Sequence, residues 1–349
     1  MLASTQGLVA QKPSPVVQDC TQRYKSAEAA YQAGLFTDCI RTLEGLLDSC
    51  DLSRKQKEGT LQMLAKAYVE TGEMGKAEST VNILLKNAPH YELNESENPE
   101  MFNRIVKRYE IHPKLTIGLK TAGDWYRHKT IKTYSVLEGL DYSPPIHDSG
   151  YFFTFHGFLE YEIIKGLSIS IEGRKFSVRQ GRAITKLPSF VLYYQEDVRF
   201  LEFPIYIKKF FDLGKSFSAY ASAGSGLLYF REATGIAALS YTKDDIITGR
   251  NTDFDDIITD IDMLPLKNRY TGFWNAGIGI GYALRNVRFF IDARYIGGLN
   301  SVNNPKNSHL IPELRDDYFY IDQEVRVNHF EAGFTISYTL LNSVKRIRK

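Results

Sequence analysis

From Lys114 onward the chain carries eight segments in which apolar and polar residues alternate, and the connections between them alternate strictly between short and long. The segments are approximately Leu115–Tyr126, Tyr151–Ile164, Leu167–Ser177, Arg199–Phe211, Phe217–Phe230, Tyr270–Leu284, Val287–Gly297 and His329–Leu341. In the last, Phe330, Ala332, Phe334, Ile336, Tyr338 and Leu340 fall on one face, and His329, Glu331, Gly333, Thr335, Ser337 and Thr339 on the other. A period of two is that of a β-strand with unlike faces. Each segment has about the 9–11 residues that a tilted strand needs to cross a bilayer. Lys165-Gly166, Asp212 to Ser216 and Arg285-Asn286 are tight turns, whereas Arg127–Gly150, Val178–Val198, Arg231–Arg269 and Leu299–Asn328 are long. That is the pattern of membrane barrels with small periplasmic turns and large outer loops. An even strand number brings both ends of the barrel to the periplasmic side.

The distribution of charge decides which face is wet. One face carries Glu160, Glu162, Glu172, Arg174, Glu202, Lys208, Arg288, Asp292, Arg294 and Glu331, while the other is almost free of charge and rich in Phe, Tyr, Ile and Leu. A soluble ligand barrel would turn its apolar face inward. Soluble proteins rarely expose so much continuous apolar surface, so the apolar face is expected to meet lipid. An eight-stranded barrel is only wide enough for its side chains to fill. Glu160, Glu172, Arg174, Glu202, Lys208, Asp292, Arg294 and Glu331 are therefore expected to form an ionic plug, with a pore lining as the alternative. Trp125, Tyr151, Tyr161, Tyr229, Trp274, Tyr282, Tyr295 and Tyr338 would supply interfacial girdles. Gly277, Gly279 and Gly281 leave room for larger inward neighbours or allow sharp curvature. The run GIGIGY lacks the following helix and Lys-Ser/Thr pair of a phosphate loop. A net charge of +2 gives no reason to expect nucleic acid.

One strand contains a contradiction. Pro204 sits within Leu201-Glu202-Phe203-Pro204-Ile205-Tyr206-Ile207-Lys208, although proline gives no N–H to a ladder. A local bulge or a missed hydrogen bond is expected there. This octet resembles the Leu-Glu-Ile-Pro-Leu-x-x-Lys strand of the Bacteroidetes outer-membrane β-barrel domain, the PorT-like group. The Gly-rich strand and the closing GFTISYTL are similar too, so the resemblance covers residues 113–349. It implies the fold and an outer-membrane location, and it is poor for function, since that group includes secretion components.

Before residue 110 the period is helical. AYQAGLFTDCIRTLEGLL (Ala30 to Leu47) and AYVETGEMGKAESTVNILL (Ala67 to Leu85) are versions of one another: a Tyr, a turn Gly (Gly34, Gly72), a small residue five positions on (Cys39, Ala77), then a Leu pair. With Pro89 these offsets resemble the tetratricopeptide repeat, a helix–turn–helix unit whose arrays usually dock protein segments. A third helix, Asn98 to Tyr109, with Asn98 as its cap, would close the array. In an antiparallel helix pair the start of the first helix lies near the end of the second, so Cys20 and Cys50 are the feasible disulfide in an oxidising compartment, and Cys39 stays a buried small residue. Residues 1–18 resemble the remnant of a secretory signal.

No catalytic group, metal site or cofactor is expected. His128, His147 and His309 fall in loops; His156 could pair with Glu160 or Glu162, but no Ser or Cys is placed beside it. The acidic stretch Thr242 to Asp262 lacks calcium-loop spacing and reads as a solvated outer loop. The basic SVKRIRK end would lie at the periplasmic leaflet. The expectation is thus an α+β multidomain chain. Residues 19–110 form a periplasmic tetratricopeptide-like module, residues 113–342 an eight-stranded antiparallel transmembrane β-barrel in the outer membrane, and residues 343–349 a basic tail. Its partners would be outer-membrane lipid and a protein docked by residues 20–110, as a non-enzymatic accessory of envelope assembly, secretion or surface export. A small-solute channel and a lipid or peptide hydrolase are the alternatives.

Overall fold

Two glycines set the geometry of the N-terminal half. Gly34 (φ 77°) and Gly72 (φ 78°) adopt the left-handed conformation just past a helix end. In the turn that follows, Leu35 N–H donates to Ala30 O (2.9 Å) and Gly34 N–H to Tyr31 O (3.1 Å); Glu73 to Tyr68 O (2.9 Å) and Gly72 to Val69 O (3.1 Å) repeat the motif. The computed structural model describes residues 15–134, 150–184, 191–214, 216–240, 256–318 and 320–347, and the chain divides into two units, Met1–Pro113 with Asn342–Lys349, and Lys114–Leu341.

The first unit has helices α1 (Pro15–Gln32), α2 (Phe36–Ser49), α3 (Arg54–Glu70), α4 (Met74–Asn87) and α5 (Glu100–Val106). Helix α3 starts in a capping box, with Ser53 N–H donating to Gln56 Oε1 (3.0 Å). Cys39 and Ala77 are fully buried at equivalent places in the two hairpins, among Leu43, Leu64, Tyr68, Leu84, Phe102 and Ile105. Three expectations need correction. Helix α1 begins at Pro15, so residues 15–18 are helical; the rest of the proposed signal remnant lies outside the described residues. The third helix is shorter than expected and is capped at Pro99; the Asn98 amide instead closes the preceding turn, donating to Asn94 O (2.7 Å). The C-terminal segment is no separate tail: Val344 packs on this unit's core, and Arg346 meets Glu78 at 3.0 Å, a carboxylate also held by Arg108 at 2.7 Å. Ile347 N–H donates to Arg108 O (2.7 Å). No helix among the described residues is long and apolar enough to cross a membrane.

The second unit is built from strands β1 (Tyr109–Lys132), β2 (Gly150–Ile164), β3 (Leu167–Ile184), β4 (Val191–Asp212), β5 (Phe217–Ser240), β6 (Asp256–Asp262), β7 (Tyr270–Leu284), β8 (Val287–Gly298) and β9 (Glu324–Arg346). Neighbours run β4-β3-β2-β1-β9-β8-β7-β5, and β4 also pairs with β5, so eight strands close into a ring. Strand β6, within the stretch expected to be a solvated loop, pairs with β5 outside that ring; residues 242–255 of that stretch lie outside the described residues. The short turns define one end of the barrel (the turn end) and the long connections the other (the loop end).

Outward residues of β4 run Lys209, Ile207, Ile205, Phe203, Leu201, Arg199, and four apolar side chains thus separate two cations. Ten residues at about 3.3 Å each, tilted by about 40°, span about 25 Å, the height of a membrane barrel's apolar band. Around the ring the same band shows Leu119, Phe153, Phe155, Ile278 and Ile291, each at least 66% exposed. Past Arg199 the two faces exchange character. Outward positions become charged and paired, Arg199 with Glu232 (2.6 Å) and Arg179 with Asp197 (2.7 Å). Inward positions become apolar: Phe176, Val178, Tyr194, Val198, Phe200, Ala233, Ala237 and Leu239. A β-bulge in the β4–β5 ladder, between Arg199 and Phe200, marks the changeover.

Pro204 causes no bulge. It pairs in register with Gly226 on β5, while the β3–β4 ladder skips from Ile171↔Ile205 to Arg174↔Glu202 without changing register. The ring absorbs the missing N–H as an interrupted ladder on one side.

Candidate functional site

Inward alternation along six strands (β1, β2, β3, β4, β8 and β9) delivers charged side chains to the barrel axis, and they close on one another. Near the turn end, Glu160 accepts from Arg288 (3.0 Å), pairs with Lys208 (3.0 Å), and Arg288 also donates to Thr116 (3.0 Å). Above them, Asp292 accepts from Lys120 and from Thr335 (2.8 Å), while Glu172 accepts from Arg294 (2.8 Å) and from the Tyr206 hydroxyl. Lys120 also pairs with Glu331, which accepts from Arg294 (2.9 Å) and Arg174 (2.8 Å). Arg174 is the hub. Its guanidinium reaches Asp124 (2.9 Å), Glu202 (2.8 Å) and Glu331, and donates to His329 Nε2. The Arg174, Asp124, Glu202 and Glu331 side chains are fully buried.

A charge taken out of water is tolerable only when its partners satisfy it. Among the described residues five cations (Lys120, Arg174, Lys208, Arg288, Arg294) face six carboxylates (Asp124, Glu160, Glu172, Glu202, Asp292, Glu331), with His156 and His329 between them. Room for this packing comes from the glycines of β7: the space above Gly279 is filled by the Tyr220 ring, and that above Gly281 by the Phe290 ring. Glu162, grouped with the inward acids by its sequence position, instead caps the β2–β3 turn by accepting from Gly166 N–H (2.9 Å).

All eight residues expected in the ionic network take part in it. Lys120 and Asp124 were not expected, although the alternation of Thr116, Gly118, Lys120, Ala122 and Asp124 against Ile117, Leu119 and Thr121 carries the signal. His156 pairs with neither Glu160 nor Glu162. Its Nδ1 faces Glu172 (3.4 Å) and its Nε2 meets Thr154 Oγ1 (2.8 Å), whose hydroxyl donates to Asp124 (2.6 Å). Histidine and threonine are 1% and 2% exposed, so the pair is sealed from any substrate. His128 lies not in a loop but on β1, inward, 2.9 Å from the Tyr126 hydroxyl; His147 lies outside the described residues. Asp124, His156 and Glu331 could bring three ligand atoms within 4.8 Å of one another, but the Arg174 guanidinium already bridges the two acids. In the helical unit Cys20 and Cys50 are joined by a disulfide and Cys39 is a buried thiol. Burial pushes that thiol up to about 11.

At the loop end the barrel is capped. A short helix α6 (Pro312–Asp316), two single 3-10 turns (Leu264–Leu266 and Pro305–Asn307) and β6 surround an apolar cluster with Met263, Leu266, Val302, Leu314, Tyr320, Val325 and Val327. Tyr194 and Tyr320 stack with centroids 4.1 Å apart. Beside them the buried Lys267 ammonium meets Glu196 (2.7 Å), Asp322 (3.1 Å) and Asn303 Oδ1 (2.8 Å). Sequence patterning assigned these residues to loops and did not find this second core.

The class defined by this geometry is an eight-stranded β-barrel with a salt-bridged, filled interior and a capped mouth, joined to a helical unit. No protein-family model matches the chain, and no curated protein does. Among solved structures it is similar to Neisserial surface protein A (14% identity, 66% of this chain and 99% of that one, TM-score 0.29). It is also similar to OprG of Pseudomonas aeruginosa (10%, 64% and 95%, TM-score 0.33) and to Ail of Yersinia pestis (13%, 64% and 99%, TM-score 0.25). At such TM-scores the barrel rests on its own strand register.

Proposed function

We propose that the chain is a non-enzymatic outer-membrane barrel whose helical unit docks a protein segment in the periplasm, as an accessory of envelope assembly, secretion or surface export. The observation that carries the membrane reading is the exchange of faces at Arg199. An apolar outer surface about 25 Å tall gives way to paired surface charge at the point where the inner face turns from ionic to apolar. One strand thus meets hydrocarbon along one stretch and water along the next. The filled interior and the cap argue against conduction, and the sealed His156–Thr154 pair offers no substrate access. What remains is an anchor. The two helical hairpins, with identical glycine turns and small residues at the helix crossings, favour a tetratricopeptide-like docking unit. The Leu201–Lys208 octet favours the Bacteroidetes barrel group.

Two experiments separate the parts. The intact chain should float with lipid vesicles and resist alkaline extraction; recovery in the aqueous fraction would end the membrane reading. Ile83 and Met101 are exposed apolar residues on the helical unit, 45% and 38% accessible. Ile83→Asp with Met101→Asp should leave the barrel folded and abolish both the chemically crosslinked complex and the envelope phenotype of a null strain. Full complementation by this double variant would count against docking through that surface.

A further inference from the structure

The charges at the loop end of the belt are not spread evenly. On β1, the outward residues past Trp125 are Arg127 and Lys129, and on the neighbouring β9 the outward residue past Phe330 and Asn328 is Arg326. All three are exposed, and among the described residues none is in an ion pair. By contrast, Arg179 on β3 and Arg199 on β4 are neutralised by Asp197 and Glu232, and the exposed cations outside ion pairs there among the described residues, Lys175 on β3 and Arg231 on β5, stand singly on their strands. The acid on β9 beyond the belt, Glu324, accepts from the Tyr134 hydroxyl. Across the ring the sector formed by β6 is acidic, with Asp256, Asp260 and Asp262. Immediately beneath the cations lies an aromatic shelf: Trp125 pairs with Tyr151 across β1–β2, and Tyr151 and Phe153 stand 68% and 72% exposed. Arg127 is one outward step, about 7 Å along the strand, past the indole. Indole rings sit at headgroup level, so the cations project to the depth of lipid phosphates.

Exposed, unpaired cations grouped on one sector gain little from protein and much from a clustered anion. We infer that Arg127, Lys129 and Arg326 form a binding site for the phosphates of a phosphorylated outer-leaflet glycolipid, whose acyl chains lie along the Trp125–Tyr151–Phe153 shelf. Three cations suit a headgroup with two phosphates better than a singly charged phosphodiester. The inference rests on the outer-membrane reading with the loop end facing outward.

The sequence has two tryptophans, and Trp274→Phe leaves Trp125 as the reporter beside the site. The full chain with this change, in neutral micelles, is titrated with bisphosphorylated lipid A, its dephosphorylated form, phosphatidylglycerol and inorganic phosphate. Saturable, salt-sensitive change in Trp125 emission is expected with the bisphosphorylated glycolipid. Arg127→Gln, Lys129→Gln and Arg326→Gln together should weaken it about 100-fold, at roughly a factor of five per charge. Arg179→Gln should change nothing. Heat-dependent gel migration checks that each variant keeps its barrel. Unchanged affinity in the triple variant, or equal binding of the dephosphorylated glycolipid, would overturn the site. Equal affinity for phosphatidylglycerol would reduce it to a general anionic surface, and competition by inorganic phosphate at matching concentration to a soluble-anion site; either outcome overturns the glycolipid assignment. Vesicle flotation of the same variants reads the membrane reading separately, since a chain that floats but ignores the glycolipid refutes only this inference.

Discussion

Replacing Arg174 with methionine should cost the barrel more than any other single change in its interior. Three fully buried carboxylates point at this guanidinium. Two of them keep other partners in the variant: Glu331 retains Lys120 and Arg294, and Asp124 retains the Thr154 hydroxyl. Among the described residues Glu202 keeps only His329, at 3.8 Å. Breaking a buried ion pair by removing one partner costs about 3–5 kcal/mol, because the survivor is left charged and unsolvated. Most of that loss should therefore reside in Glu202. Glu202→Gln alone removes one charge-assisted hydrogen bond, about 1.5–3 kcal/mol, and relieves the crowding of three acids around one cation. The double variant Arg174→Met/Glu202→Gln should be more stable than Arg174→Met by about 2 kcal/mol. Arg174→Lys should fall between the wild type and Arg174→Met, since one ammonium cannot present the planar fork that reaches Asp124, Glu202 and Glu331 together. The measurement is equilibrium unfolding in micelles, followed by heat-dependent gel migration and tryptophan emission, arranged as a double-mutant cycle. Arg174→Met within 1 kcal/mol of the wild type, or no recovery on adding Glu202→Gln, would show the acids to be hydrated. That result would refute the plugged interior and favour a water-filled lumen.

Three further outcomes are expected. Ile205→Arg, outward in the middle of the belt, should cost about 2–4 kcal/mol in folding into vesicles, against about 0–1 kcal/mol for Thr234→Arg, outward beyond it; equal costs would contradict the position of the belt. Cys20→Ser with Cys50→Ser opens a cross-link spanning 30 residues and should lower the stability of the helical unit by about 3–4 kcal/mol in thermal circular dichroism, with barrel gel migration unchanged. With its thiol at about 11, Cys39 is ionised in only about one molecule in a thousand at pH 8, so iodoacetamide should label it only after unfolding; labelling of the native protein at the rate of a free thiol would disprove the packing of α2.

Much of the barrel was legible because alternation is a local property. Strands β2, β7 and β8 begin and end within one residue of their expected limits, and the inward charges followed from parity alone. The helical hairpins were legible from Gly34 and Gly72, whose left-handed turns only a few residues can adopt. Partners in the ionic network were not. Which acid meets which base depends on register across the ring, so Arg174 facing Asp124 from β1 and Glu331 from β9 could not be read along the chain. The Lys267 cluster was hidden for the same reason. Its acids come from β4 and from the segment before β9, and Lys267 itself sits in a stretch without alternation.

Three of the errors in strand length share one cause. Strand β3 was expected to stop at Ser177, β4 to start at Arg199 and β5 to stop at Phe230, whereas they extend to Ile184, from Val191 and to Ser240. All three expected limits lie at the exchange of faces, and Ser177 pairs with Arg199 in the ladder itself. A strand in hydrocarbon shows its apolar residues outward; the same strand in water must turn them inward, so a pattern judged by one rule ends where the solvent changes, although the backbone continues. At the bulge one extra residue of β5 shifts the parity of its inward positions from Leu228 and Phe230 to Ala233, Ala237 and Leu239, which erases the alternation just where it would have been needed. The apparent loops are thus the upper wall of a second hydrophobic core. On the membrane reading proposed above, that core has water outside it and the ionic core below has hydrocarbon outside it. The two should respond oppositely to solvent: removing both lipid and detergent should loosen the belt before the cap, and mild denaturant applied to vesicles should open the cap while the belt stays closed.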